Sequence, residues 1–166
     1  MSTAVFVILS AVFMTLELYL RAHALIVPLV SDWLFYLTVV YGLKKGLGAA
    51  VLLGGAADLM TGRVFPVSAF TFGAVAVLAE FSARRNHQET FLPHILPGAV
   101  IPLIVWGIPA FASPEYLRTA LGFLPPVCFF NVFLLPLMIL LLDTAADKLS
   151  LPLYANARLD ERREDE

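Results

Sequence analysis

The chain has 166 residues, 60% hydrophobic and 14% charged, with a mean hydropathy of +0.84 and a net charge of −2. Soluble domains run at about 45–50% apolar and about 25% charged, so a domain of this size has too little interior to hide that apolar surface from water. The slightly acidic balance gives no basic footprint for nucleic acid, and a single cysteine, Cys128, builds neither a disulfide framework nor a metal site.

Composition therefore predicts one all-α integral membrane domain over residues 1–150, followed by a charged tail, 151–166, too polar to pack. A transmembrane helix needs about 20 mostly apolar residues. Six segments approach that length: 3–20, 25–43, 46–62, 64–81, 91–112 and 121–143. The first ends near Ala22-His23-Ala24, which loosely resembles a signal-peptidase site. No Lys or Arg precedes the apolar run, and Arg21 adjoins the site, so a retained first span is expected. The second segment closes on a Lys44-Lys45-Gly46 turn. The third and fourth are parted only by Gly62-Arg63 and read as an antiparallel helical hairpin.

The fifth segment carries Pro93, Pro97, Pro102 and Pro109, which a membrane helix tolerates where neighbours satisfy the freed carbonyls. A kinked or partly re-entrant fifth segment would give five spans instead of six. Residues 113–120 read as a short interfacial helix outside the membrane, and the sixth segment has an amide, Asn131, near its middle. With six spans, one side holds Lys44, Lys45, Arg84, Arg85, Lys148, Arg158, Arg162 and Arg163, and the other holds Arg21, Arg63 and Arg118. The positive-inside rule then places both termini in the cytoplasm.

Polar residues inside an apolar chain are the candidates for function. In the third segment Gly54, Asp58 and Gly62 fall at i, i+4 and i+8, on one stripe that Ala50 extends. Such a small-residue stripe lets another helix approach closely. It is expected to be a packing seam, with a pore-lining or ligand-facing stripe as the alternative. Asp32, Asp58, Arg21 and Arg63 all lie toward the outer side, and a polar cluster of these four is geometrically plausible. Asn131 is expected to hydrogen-bond across a helix contact. Glu17 with Arg21, and Glu80 with Arg84, are i,i+4 pairs at span ends.

His23, His87 and His94 lack ligand spacing, so neither a metal nor another cofactor is expected. The chain contains no G-x-S-x-G, H-E-x-x-H or Walker A motif, and no internal repeat suggests a transporter. No enzymatic activity is expected.

Three stretches carry a family resemblance: Ser31-Asp32-Trp33-Leu34-Phe35-Tyr36-Leu37, Tyr41-Gly42-Leu43-Lys44-Lys45-Gly46, and Gly54-Gly55-Ala56-Ala57-Asp58-Leu59-Met60-Thr61-Gly62. Together they resemble the rod shape-determining protein MreD family. That family typically has Pro-Asp at the start of its second span, a basic turn, and Gly-x-x-x-Asp-Leu-x-x-Gly closing its third. Asp32 matches the first acid, and Gly54, Asp58, Leu59 and Gly62 match the second motif. Asn131-Val132-Phe133-Leu134-Leu135-Pro136 is similar to the family's Asn, apolar, Pro pattern in the last span. Ser31 stands where Pro is usual, and Arg63-Val64-Phe65-Pro66 replaces the usual small-residue turn.

The resemblance implies a non-catalytic, multi-pass protein of the bacterial inner membrane. It implies an MreC-like direct partner and, through it, an MreB-like filament, a RodA-like glycosyltransferase and a class-B penicillin-binding transpeptidase. Its function would be to scaffold cell-wall elongation, with the Gly54–Asp58 stripe locking spans two and three together. The same family resembles, in fold, the substrate-binding components of energy-coupling-factor vitamin transporters. The alternative function is therefore small-molecule binding in an outward-facing pocket.

Overall fold

The computed structural model describes residues 3–23, 25–62, 66–85, 92–112 and 114–148. Among these residues the chain is all-helical, with six helices: α1 (Thr3–Ala22), α2 (Leu29–Tyr41), α3 (Leu43–Met60), α4 (Val67–Arg85), α5 (Leu92–Ala112) and α6 (Pro114–Lys148). Arg63 and the tail 151–166 lie outside the described residues. Three stretches are long and apolar enough to cross a membrane: Val5–Ala22 in α1, Val67–Arg84 in α4 and Leu121–Lys148 in α6. Leu29–Tyr41 and Ile95–Pro109 are apolar but shorter.

The bundle is organised around its shortest helix. α2 has no polar side turned to solvent, and Leu29 to Val39 are buried without interruption, Ser31, Asp32 and Thr38 included. A helix with no polar face needs protein on every side, and α2 touches each of the other five. The second segment is shorter than its apolar run suggests because Pro28 sets the start. Proline fits the entry of a helix, where its missing N–H removes no intrahelical bond. Gly42 ends α2 and begins α3 with φ +81°, a left-handed conformation that favours glycine.

Cross-contacts fix the registers. α1 runs antiparallel to α2: Trp33 Nε1 donates to Ser10 Oγ at 3.1 Å, Phe13 stacks on Trp33, and Glu17 reaches Val30. α5 runs antiparallel to α6, with Gly98 against Asn131 and Val132, and Trp106 edge-on to Phe123. α3 and α4 form the expected hairpin, and α4 also packs on α2. Tyr36 hydroxyl donates to Asp143 Oδ1 at 2.8 Å, tying α2 to the far end of α6.

α5 is one continuous helix despite internal Pro97, Pro102 and Pro109, and its apolar stretch, Ile95–Pro109, is shorter than the three candidate spans. One expectation is corrected here. The stretch after α5 is not a separate interfacial helix. From Pro114 it forms the first turns of a single 35-residue helix, about 52 Å long at 1.5 Å per residue.

Apolar side chains also cover the outside. Val7, Ile8, Val12, Phe129, Phe133, Leu137 and Leu140 are all exposed, on α1 and α6. Rows of exposed apolar residues on long helices suit contact with lipid chains.

Candidate interhelical polar site

Four buried polar side chains, Asp32, Asn131, Asp58 and Glu17, form two arrangements. The first is central and joins α2, α5 and α6. It begins with Pro102, which has no N–H and so leaves the carbonyl of Gly98, one turn earlier, without its helical donor. Asn131 of α6 supplies one: its Nδ2 donates to Gly98 O at 3.0 Å. α6 comes this close because Gly98 lacks a side chain; a Cβ there would sit 2.9 Å from Asn131 O and Val132 Cα.

The same Nδ2 donates to Asp32 Oδ1 of α2 at 3.2 Å. Asp32 and Asn131 are both 0% exposed. Each keeps one side-chain oxygen, Oδ2 of Asp32 and Oδ1 of Asn131, with no hydrogen-bond partner.

The second arrangement caps helices with carboxylates from their neighbours. Asp58, near the end of α3, accepts the backbone N–H of Ser68 at 3.0 and 3.1 Å and that of Ala69 at 3.3 Å. These N–H groups belong to the first turn of α4, which has no intrahelical acceptors and carries the positive end of the helix dipole. Gly54, one turn before Asp58, makes the approach feasible: a Cβ on it would meet Ala69 Cα at 2.3 Å. In the Gly-x-x-x-Asp run, the glycine admits the α4 backbone and the acid caps it.

Glu17 of α1 treats α2 in the same way. Its Oε2 accepts Val30 N–H at 2.8 Å, while Oε1 pairs with Arg21. The Arg21 guanidinium lies over the Trp106 ring, 5.3 Å from its centroid. Sequence spacing indicates the Glu17–Arg21 pair but not the Val30 contact, because nothing local tells which helix will pack on α1.

The three described members of the expected outer cluster each take a different partner. Asp32 bonds Asn131, Asp58 caps α4, Arg21 pairs with Glu17, and Arg63 is outside the described residues. The seam is also corrected. Gly54 and Asp58 join α3 to α4, not to α2. The close approach of α2 and α3 is at Gly46, where a Cβ would fall 2.3 Å from Thr38 Oγ1. Gly62 is not on the helical stripe at all. It lies beyond Met60 with φ +65°, the left-handed residue that stops α3.

Around the two caps, Glu17, Arg21, Val30, Ala57, Thr61, Ser68, Thr71, Trp106 and Pro109 line a cavity of about 80 Å³. The ends of α1, α3 and α5 and the starts of α2 and α4 therefore lie on one side of the bundle. Among the described residues no three His, Cys, Asp or Glu side chains converge as a metal site requires.

Comparison with protein-family models, curated proteins and solved structures finds no match to this chain.

Proposed function

We propose that the chain is a non-catalytic, multi-pass scaffold of the bacterial inner membrane, of the MreD type, acting in cell-wall elongation through protein contacts. In this reading all six helices cross the bilayer, and the basic residues at one side keep both termini in the cytoplasm. α2 is about 20 Å long, short of the roughly 30 Å hydrocarbon layer. Enclosed by the other helices, it needs no lipid-facing length of its own.

One observation carries the proposal: the buried acids Glu17, Asp32 and Asp58 and the buried amide Asn131 all bind other helices. Asp32 and Asn131 join α2, α5 and α6, and Asp58 joins α3 to α4. Those are the residues on which the family resemblance rests, and each has a structural task. The vitamin-binding alternative needs polar groups converging on a pocket of about 300–1,000 Å³. The cavity around the two caps, about 80 Å³, has room for a few waters.

The test is co-expression of the tagged chain with the MreC-like protein of the same genome, followed by purification in detergent. A stable complex, weakened by Asp58→Leu, is expected. No complex, together with a small molecule retained by the purified chain and identified by mass spectrometry, would replace the scaffold with the transporter-type binder.

A further inference from the structure

The central contact leaves two oxygens to be accounted for. Asn131 Nδ2 faces two acceptors, Asp32 Oδ1 and Gly98 O, which fixes the amide orientation. Flipping it would set oxygen against both. Asn131 Oδ1 is therefore an acceptor, fully buried and without a donor. Asp32 Oδ2 is in the same state, on the side chain bonded directly to that amide. The N–H of Asp32 bonds Pro28 O and that of Val30 bonds Glu17 Oε2, and buried polar atoms in native proteins are almost always paired. A carboxylate and an amide oxygen, both acceptors, cannot satisfy each other.

We propose that Asp32 and Asn131 form a proton-binding site, in which Asp32 is a neutral carboxylic acid. The proton, taken from solvent before the bundle closes, sits on Oδ2 and is donated to Asn131 Oδ1, while Asn131 Nδ2 donates to Asp32 Oδ1. One proton then satisfies both orphaned atoms. The acid and amide meet in a cyclic pair of hydrogen bonds, and the second hydrogen of Nδ2 stays on Gly98. The terminal torsions of Asp and Asn are broad and two-fold, so the two planes can align without leaving a rotamer well. A neutral pair also removes the charge that lipid-embedded helices tolerate least. The inference rests on hydrogen-bond inventory alone and does not depend on the scaffold reading.

Infrared difference spectra of wild type against Asp32→Asn, at neutral pH in lipid, test the site. A carboxylic-acid carbonyl band that shifts in deuterated buffer and vanishes in Asp32→Asn is expected; no such band would overturn the proposal. Thermal unfolding gives a second readout. The introduced amide reproduces both hydrogen bonds of a protonated acid, so Asp32→Asn should melt with wild type, and Asp32→Leu and Asn131→Leu well below it. An Asp32→Asn protein that melts as low as Asp32→Leu would show that the charge is needed. Melting should be the same in sodium, potassium and choline buffers. A stabilisation specific to one metal cation and lost in Asp32→Asn would assign the orphaned oxygens to that cation instead.

Discussion

The carboxylate of Asp58 accepts the backbone N–H of Ser68 through both of its oxygens, at 3.1 and 3.0 Å, across the turn between α3 and α4. An acid that looks misplaced in an apolar run is thus the N-terminal cap of the next helix. A cap of this kind contributes about 0.5–2 kcal/mol. Asp58→Ala should lower stability in detergent by that amount, and Asp58→Asn by less, since its amide oxygen still accepts. Hydrogen exchange at Ser68 and Ala69 should accelerate in Asp58→Ala. Unchanged protection there would remove the capping role.

Gly54 should be far less tolerant than Gly55. A methyl group at Gly54 collides with the α4 backbone at Ala69, whereas nothing lies within 4 Å of a Cβ at Gly55. Gly54→Ala should cost about 1–3 kcal/mol, as overpacking does. Gly55→Ala should be neutral or gain up to about 1 kcal/mol of helix propensity. Equal melting temperatures for the two variants would show that α4 does not press on Gly54.

Pro102 and Asn131 should be energetically coupled through the carbonyl of Gly98. In Pro102→Ala the restored N–H can pair with Gly98 O, so Asn131→Ala loses less than in wild type. The loss of the Asp32 bond is common to both backgrounds and cancels in a double-mutant cycle. A coupling of about 0.5–3 kcal/mol is expected, the range for residues in one network. Strict additivity would mean that Asn131 does not serve the carbonyl that proline frees.

Glu17→Gln and Glu17→Ala separate the two jobs of Glu17. The amide still accepts Val30 N–H but no longer neutralises Arg21; alanine does neither. Amide exchange at Val30 should stay slow in Glu17→Gln and quicken in Glu17→Ala, with about 1 kcal/mol of stability lost in the latter. Fast exchange in both variants would make the Arg21 pair, and not the cap, the feature that holds the start of α2.

Local patterns in the sequence carry much of this architecture. The α3–α4 hairpin is legible from the Gly62-Arg63 break, and the small residues around Asp58 correctly mark a close helix contact. Which neighbour fills that contact is not legible, because a stripe of glycines on one helix does not name its partner. Helix ends follow prolines more closely than hydropathy: Pro28 starts α2 inside an apolar run, and Pro114 starts α6 well before the apolar stretch. The Asp32–Asn131 contact spans 99 residues, beyond any local pattern. Half of it was nonetheless accessible, since Pro102 four residues after Gly98 announces a carbonyl in need of a donor. Asp32, Asp58 and Arg21 take separate partners because groups at similar heights on different helices need not face one another.

The separation of Asp32 and Asn131 along the chain bears on biogenesis. α2 leaves the ribosome early, but the residue that closes its buried acid is made 99 positions later, in the last helix. Until α6 arrives, a nascent or truncated chain holds an unsatisfied carboxyl group in an exposed second segment. Helices α1 to α5 alone leave this acid without its amide partner, so closure of the bundle on α6 is the step that pairs it.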